Sequence, residues 1–190
     1  LTINQSSGDA ELTGTLNGSG NLNKSGNSKL TLKNGANNSI GQISVNDGTF
    51  ELEGVTLPNG DVEVTSLDGD VTVNDGSIFK GGNGEINGAV TNNGTFSPGN
   101  SVGEITVRDY KGDGELLFEF VSGSNKPIEA SDTIVVNGTA NLSNQDLLIS
   151  KINQINPPKK SSETILQDNS SSSGAIKGFF NNIDFDTNTN

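Results

Sequence analysis

Three short segments of the chain repeat one pattern, in which a β-branched residue and an Asn-rich turn ending in glycine precede a Thr or Ser and an apolar residue. They are Val45–Phe50, Val73–Ile78 and Thr91–Phe96, with glycines at positions 48, 76 and 94. The implied period of roughly 20 to 25 residues is typical of a parallel β-solenoid, because each coil needs a few short strands and corners of variable length. A β-sandwich, with short strands and turn signals every 8 to 12 residues or so, remains the alternative.

The apolar residues recur in short alternating groups, separated by Gly, Asn, Asp and Ser. Because only 29% of the chain is hydrophobic and 5% aromatic, this alternation predicts a thin, elongated β core and not a thick one. No segment has a sustained helical period, so we expect an all-β fold. The strands predicted in the first half are Ala10–Leu16, Lys29–Leu32, Ile43–Phe50, Val62–Leu67, Val71–Val73 and Ile78–Phe79.

The strongest turn signal lies between Asn92 and Val107. Asn-Gly at 93–94 tolerates positive φ, while Pro98 fixes its own φ and pushes Ser97 toward an extended conformation. We therefore expect a sharp turn here, with Phe96 before it and Ile105 after it pointing into the same core.

Apolar residues become denser after Gly114. Leu116, Phe118 and Phe120 alternate along one predicted strand, and Thr133–Val136 and Leu147–Ile149 follow it. A fully buried Phe or Leu contributes about 1.5–3 kcal/mol before entropy is counted, so we expect these strands to bury more than the earlier ones and to anchor stability. The remaining predictions are two final strands, Thr164–Gln167 and Ala175–Phe180, two exposed loops, Asn156–Ser162 and Asp168–Gly174, and a polar tail, Asp186–Asn190.

Charge and residue usage exclude several classes of function. A net charge of −12 opposes binding to nucleic acid or anionic lipid, and no apolar run approaches the roughly 20 residues that span a bilayer. Because the chain has no His and no Cys, it offers no Ser-His-Asp or Cys-His machinery and no thiolate or histidine metal site. We expect no catalytic, cofactor or metal residues.

Several polar groups have two interpretations. Acidic pairs such as Asp68 and Asp70, Asp47 and Glu51, or Asp113 and Glu115 suit acid–base chemistry on a sugar, but aspartate beside glycine is ordinary turn chemistry. Weak calcium signals at Leu67–Asp70 and Gly81–Ile86 have the same explanation. Glu119 is expected to face solvent, with a buried, paired carboxylate as the alternative. Three asparagines at matched positions are predicted either to stack as a ladder or to serve only as turn formers: Asn46, Asn74 and Asn92.

The order of motifs in the second half resembles the C-terminal passenger region of bacterial autotransporters, the proteins of type V secretion. The motifs are Gly94–Val107, Gly114–Phe120 and Ser131–Ala140, followed by closing segments at Thr164–Leu166 and Ala175–Phe179, whereas residues 1–91 share only the general texture. The residues expected to carry this structural motif are Gly94, Phe96, Ser97, Pro98, Gly99, Asn100, Ser101, Gly103, Phe118, Phe120, Asp132, Gly138, Gly178 and Phe179.

The resemblance implies a right-handed parallel β-helix with a C-terminal β-strand cap, called the autochaperone or pertactin-like module. Residues 1–91 would form stem coils, residues 92–185 the last coils and the cap, and residues 186–190 the polar tail. It implies a passenger that folds during secretion through its own outer-membrane translocator barrel and is displayed at the bacterial cell surface as an adhesin or virulence factor. The alternatives are the stem of a protease or esterase passenger and a β-helix that itself binds a host protein or glycan.

Overall fold

The structure, a computed structural model, describes residues 1–122, 128–151, 164–170 and 176–186. Every regular element in these ranges is a β-strand, so the prediction of an all-β fold is confirmed. The described residues include no helix long and apolar enough to cross a membrane.

The strands are short in the first half and longer from Gly84 onward. In chain order they are β1 (Thr2–Asn4), β2 (Ala10–Leu12), β3 (Asn21–Ser25), β4 (Lys29–Leu32), β5 (Asn37–Asn38), β6 (Gln42–Val45), β7 (Thr49–Glu53), β8 (Val55–Thr56), β9 (Val62–Glu63), β10 (Thr65–Leu67), β11 (Asp70–Val73), β12 (Ile78–Gly82), β13 (Gly84–Asn92), β14 (Thr95–Ser97), β15 (Glu104–Gly112), β16 (Glu115–Ser122), β17 (Ile128–Ser131), β18 (Thr133–Val136), β19 (Ala140–Asn141), β20 (Asp146–Lys151), β21 (Leu166–Asp168), β22 (Ile176–Lys177) and β23 (Asn182–Phe185).

Two long sheets contain nearly all of these strands. The first has the order β1-β3-β6-β11-β13-β15-β18-β21, with β5, β10, β19 and β22 alongside, and the second has the order β2-β4-β7-β12-β14-β16-β20-β23, with β17 at its side. Neighbours along both orders are parallel, and the chain alternates between the sheets, so each pass adds a strand to both. This arrangement is consistent with a β-helix or solenoid and unlike the antiparallel sheets of a β-sandwich.

The length of a pass varies for a visible reason. Thr31 and Glu51 lie side by side on β4 and β7, 20 residues apart, whereas Asn46 and Asn74 face each other across 28 residues. The longer pass contains the antiparallel β8–β9 hairpin, which lies outside both long sheets. The β8–β9 hairpin therefore accounts for the longer of the two glycine spacings in the repeats, and later passes are longer again, since Asp113 and Asn144 are hydrogen-bonded across 31 residues.

The sequence alignment of the repeats is wrong by one residue in its middle member. Phe79, and not Ile78, pairs with both Phe50 and Phe96 in the second sheet. The turn before Phe79 holds one more residue because Ser77 is buried there, with its hydroxyl 2.8 Å from the Val45 carbonyl oxygen and 2.6 Å from that of Asn74. A polar residue thus occupies an inward position that the pattern assigned to the turn.

Aromatic rings stack along the core from one pass to the next. The ring centroids of Phe50 and Phe79 are 5.9 Å apart, and those of Phe79 and Phe96 are 5.1 Å apart with nearly parallel planes. Tyr110 meets Phe96 edge to face at 5.4 Å. The buried apolar residues extend without a break in the two sheets from Leu22 to Leu147.

The expectation that the strands after Gly114 bury the most is wrong for the described residues. The largest fully buried side chains all precede Gly114, among them Phe50, Phe79 and Tyr110. Leu116 and Phe118 are buried, but Phe120 is only half-buried. Successive side chains of a strand point to opposite faces, so an unbroken apolar run sends half of its residues outward.

The predicted strand boundaries hold best where the alternation is clean. Lys29–Leu32 is confirmed, whereas Ile43–Phe50 and Val62–Leu67 are each divided into two strands, and β1, β3 and β13 were not predicted. The final segment differs most. Of the described residues in the predicted strand Ala175–Phe180, only Ile176–Lys177 form a strand, and the last described strand, β23, lies further on. The loop predicted at Asn156–Ser162 lies outside the described residues.

We expect Phe79→Ala to lower the free energy of unfolding by about 3–5 kcal/mol, because the ring is fully buried between two stacked neighbours and its loss leaves a cavity. Phe179→Ala is the matched control, since that ring is 89% exposed, and should change stability by no more than about 0.5 kcal/mol. Urea unfolding of both variants measures the difference. Equal losses would contradict the described core.

Candidate functional site

The turn between β14 and β15 carries most of the residues singled out by the resemblance. Ser97, Pro98 and Gly99 are buried, whereas Asn100 and Ser101 are exposed at its tip. The Ser97 hydroxyl donates a hydrogen bond to the Gly99 carbonyl oxygen at 3.1 Å, and Ser101 adopts a φ of 77°. The predicted sharp turn is confirmed, but its positive φ lies at Ser101 and not at Asn93 or Gly94, where the sequence pattern indicated it.

A buried carboxylate holds this turn from the other side. Asp132, between β17 and β18, is fully buried and accepts a hydrogen bond from the Gly103 N–H at 2.9 Å through Oδ1. Its Oδ2 accepts from the Glu119 N–H of β16 at 2.8 Å. We call residues Ser97–Gly103 together with Asp132 the Asp132 turn. One side chain therefore joins segments that are 29 and 13 residues distant from it.

Backbone hydrogen bonds reinforce the same junction. The Asp132 N–H donates to the Glu119 carbonyl oxygen at 2.8 Å, and the Thr133 N–H donates to the Gly103 carbonyl oxygen at 2.9 Å. Asp132 and Glu119 are thus paired through both backbone and side chain. The turn, β16 and the start of β18 form one connected unit.

Glycine is required at position 99 for steric reasons. A Cβ there would meet the Ser101 carbonyl oxygen and Asp132 Oδ1, and would lie 2.6 Å from the Gly103 nitrogen. The residues Gly99, Gly103 and Asp132, which come from two separate sequence motifs, are therefore in direct contact. No spacing between residues in the sequence predicts this contact.

The electrostatics of Asp132 are unusual for an aspartate. Burial raises the pKa of Asp132 to about 7, although the Glu119 and Gly103 N–H donors and the charge of Lys80 lower it, and the nearby Glu119 carboxylate adds to the increase. Glu119 itself is half-buried, and its Oε2 is inaccessible without a hydrogen-bond partner among the described residues. The expectation that the Glu119 side chain faces solvent is therefore not met in full, and the alternative of a buried, paired carboxylate is not met either.

A second buried polar cluster lies next to the aromatic stack. Asn92 Nδ2 is 3.0 Å from the Tyr110 hydroxyl, 2.9 Å from the Glu115 carbonyl oxygen and 3.2 Å from Gln145 Oε1. The Tyr110 hydroxyl donates to Gln145 Oε1 at 3.0 Å. This cluster connects residues up to 53 positions apart, and sequence reasoning missed its Tyr110 and Gln145 members.

The asparagine ladder exists for two of its three predicted members. Asn74 Nδ2 donates to Asn46 Oδ1 at 2.8 Å. Asn92 is not part of it, because Asn92 pairs with Val73 in the first sheet and so faces the core. Asn92 occupies the position that Val73 has in the neighbouring strand, which indicates that Asn92 faces the core. This match can be recognised only when the register of the two strands is known.

The other motif residues have separate, local roles. A Cβ at Gly94 would meet the Asn74 and Ser77 carbonyl oxygens, and one at Gly138 would lie 2.5 Å from Asp109 Oδ1. Gly178 has a φ of 78° and packs against Ser143. Phe179, expected to belong to a closing strand, lies outside the strands and is 89% exposed.

Asp68 and Asp70, which form one of the predicted acidic pairs, accept hydrogen bonds from neighbouring passes. Asp70 Oδ1 accepts from the Ala89 N–H at 2.8 Å, and Asp68 is hydrogen-bonded to Asn37 at 3.1 Å and to Asn87 at 3.2 Å. Glu51 is buried and pairs with Lys29 at 2.8 Å. Across the described residues, no three acidic side chains converge as metal ligands would.

Comparison with protein-family models, with curated proteins and with solved structures finds no match for this chain. Its function is therefore inferred from its own residues and geometry.

We expect the Asp132 turn to make stability depend on pH. The folded-state pKa of Asp132 is raised above that of an unfolded aspartate, about 3.9, so the group's contribution is fully present below pH 4 and is lost as the pH rises through 7. Asp132→Asn removes the titrating group. The unfolding free energy of the wild type minus that of the variant should therefore decrease as the pH rises from 4 to 7, by at most about 1.4 kcal/mol per pH unit. Urea unfolding from pH 4 to 8 measures it.

A difference that stays constant across that range would show that the two N–H donors keep Asp132 charged throughout. Ser97→Ala provides a control for damage to the same turn, because it removes the hydrogen bond to the Gly99 carbonyl oxygen and keeps Asp132 with its two N–H donors. It should destabilise the protein by a similar amount at every pH.

Proposed function

We propose that this chain is the C-terminal part of the passenger of a bacterial autotransporter, and that its second half nucleates folding of the passenger during secretion across the outer membrane. The proposed architecture is a right-handed parallel β-helix whose stem coils occupy residues 1–91 and whose last coils and cap occupy residues 92–185. The passenger would emerge through its own translocator barrel, outside this sequence, and remain at the cell surface as part of an adhesin or other virulence factor.

The observation that carries this proposal is the Asp132 turn. A folding nucleus must pay for loop closure before later contacts stabilise it, so contacts that join several segments at once have the largest effect. Asp132 joins the turn before β15, strand β16 and the start of β18 through one buried side chain. The residues involved belong to the motifs that carry the resemblance to autotransporter passengers.

Strand length supports the same location for the nucleus. Strand β15 has nine residues and β16 has eight, whereas β1 and β2 have three. The nine-residue β13 lies at the end of the stem and pairs directly with β15. Longer strands form more backbone hydrogen bonds with each neighbour, so they hold their register better when few passes have formed. Strand β16 also pairs with β17 in antiparallel fashion, a contact between segments close in sequence.

Growth from that nucleus follows from the pairing scheme. Each pass contacts chiefly the passes on either side, and in such repeating folds a formed unit serves as a template for its neighbour. A chain that leaves the membrane with residues 92–185 near the barrel would fold this part first and add the shorter strands of residues 1–91 outward. Folding outside the cell would then favour further export.

We expect Phe118→Asp to abolish surface display of the parent protein while its synthesis continues, because Phe118 is 3% exposed on β16 and a buried unpaired charge costs several kcal/mol. Phe50→Asp is the matched control, since Phe50 is equally buried but lies on β7 in the proposed stem. It should permit display, with protease resistance retained by residues 92–185 and lost toward residue 1. Surface labelling of intact cells and mapping of protease fragments provide both measurements.

Refolding kinetics of the purified 190-residue chain test the nucleus without the secretion machinery. Phe118→Ala should lower the refolding rate by nearly the whole factor that corresponds to its loss of unfolding free energy. Phe50→Ala should instead mainly raise the unfolding rate. The reverse result would place the nucleus in the stem. Normal display of Phe118→Asp, or equal failure of both Asp variants, would remove the support for C-terminal nucleation.

A further inference from the structure

A cleft of about 470 Å³ lies over the first sheet, where strands β13, β15, β19 and β22 follow one another. The residues that matter for its chemistry are Asp109, Lys111, Thr139, Asn141, Ser143 and Lys177. None of them belongs to the Asp132 turn. The cleft is therefore separate from the Asp132 turn, although strand β15 of the proposed folding nucleus lines it.

The register of the strands places two lysines in one row on the outer face. Tyr110 pairs with Ala140, and Ala140 with Ile176, so the residues that follow, Lys111, Asn141 and Lys177, lie side by side. Tyr110 and Ala140 point into the core, which sends the next side chain in each strand outward. Two strand spacings separate the lysines, a Cα distance of about 10 Å.

These two ammonium groups differ from most other described lysines. Lys29 and Lys33 form ion pairs with Glu51 and Glu53, and Lys24 is buried against carbonyl oxygens. Lys111 and Lys177 are exposed and form no ion pair with any described residue. A pair of free cations at one cleft is unexpected in a chain of net charge −12.

The single carboxylate of the cleft is already occupied. Asp109 Oδ1 accepts hydrogen bonds from the Thr139 N–H at 2.8 Å and from its hydroxyl at 2.9 Å, and Oδ2 accepts from Arg108 Nε at 2.9 Å. Burial raises the pKa of Asp109, but these hydrogen bonds outweigh burial and lower it overall, so the group stays ionised and paired. The two lysines are left to face a ligand.

Neutral hydrogen-bonding groups also line the cleft, and an exposed ring follows it directly in the chain. Asn141 lies between the lysines, and its Oδ1 accepts from the Ser143 N–H at 3.0 Å, which directs its amide NH₂ group away from that contact. Phe179 directly follows the lining residue Gly178 and is 89% exposed. An open aromatic face beside hydroxyl and amide groups suits a sugar ring, which presents C–H groups on one face and hydroxyls at its edge.

We propose that this cleft binds an acidic saccharide, with Lys111 and Lys177 contacting its carboxylate or sulfate groups, Asn141 and Ser143 contacting hydroxyls, and Phe179 packing against a ring. Two cations about two strand spacings apart match anionic groups on neighbouring or alternate sugar units better than a single phosphate. An acidic polypeptide would use the lysines but has no need of the exposed ring.

Isothermal titration of the complete 190-residue chain with a sulfated heparin-type oligosaccharide and with an oligogalacturonate tests the proposal. At least one of the two should bind, and Lys111→Ala/Lys177→Ala should weaken that binding at least 10-fold, with a smaller but measurable loss in Phe179→Ala. The matched control Lys33→Ala/Lys80→Ala removes the same charge from outside the cleft, at the residue after β4 and on β12, and should leave the affinity unchanged. Circular dichroism verifies that each variant is folded.

Three results would overturn the proposal. They are the absence of binding to both saccharides, equal weakening by the two double variants, and binding of poly-glutamate as tight as that of the saccharides with no effect of Phe179→Ala. The last result would identify the row as a charge patch for acidic chains. A neutral malto-oligosaccharide serves as the ligand control and should not bind.

Discussion

Hydrogen bonding between parallel strands of adjacent passes is the interaction on which the rest of the molecule depends. Most strands contribute only one to three inward side chains, too few to stabilise a pass alone. Pairing in register sets those side chains above one another, as in the row of Phe50, Phe79 and Phe96, and makes a continuous core from thin layers. A variant that shifts the register by one residue would therefore turn every inward side chain of that strand outward.

Corners are where this pairing stops, and buried polar side chains take over there. Lys24 is fully buried, yet its ammonium group donates to the carbonyl oxygens of Ser25, Gly26 and Asp47 at 3.2, 2.6 and 2.8 Å. Asp132 does the same for N–H groups at the turn before β15. Leaving such a backbone group unpaired costs about 1–3 kcal/mol, so a few polar residues determine whether passes of different length can stack. The proposed saccharide-binding cleft lies on the outer face of the first sheet, where Lys111 and Lys177 form none of these corner contacts.

Local pattern was enough to predict an all-β fold of short strands, because alternation and turn chemistry are properties of neighbouring residues. It was not enough to place Phe79 opposite Phe50, since one buried Ser77 shifts the count, and it could not assign Asn92 to the core. Apolar density also misled, because in Leu116–Phe120 every second residue faces outward. The contact between Gly99 and Asp132 depends on which passes are adjacent, and that is decided by strand pairing over about 30 residues, beyond any local signal.

Where folding begins must then be decided by something other than apolar mass. Buried apolar residues are spread from Leu22 to Leu147, so burial alone gives no preferred starting point. Strand length and long-range polar contacts do vary: the nine-residue strands, the Asp132 turn and the Asn92 cluster all lie between Gly84 and Leu147. The last strand, by contrast, exposes Ile183 and Phe185 at 53% and 67%. The proposed nucleus would then lie one or two passes inward from that strand and not at it, because the passes on both sides could grow from strands long enough to hold their register.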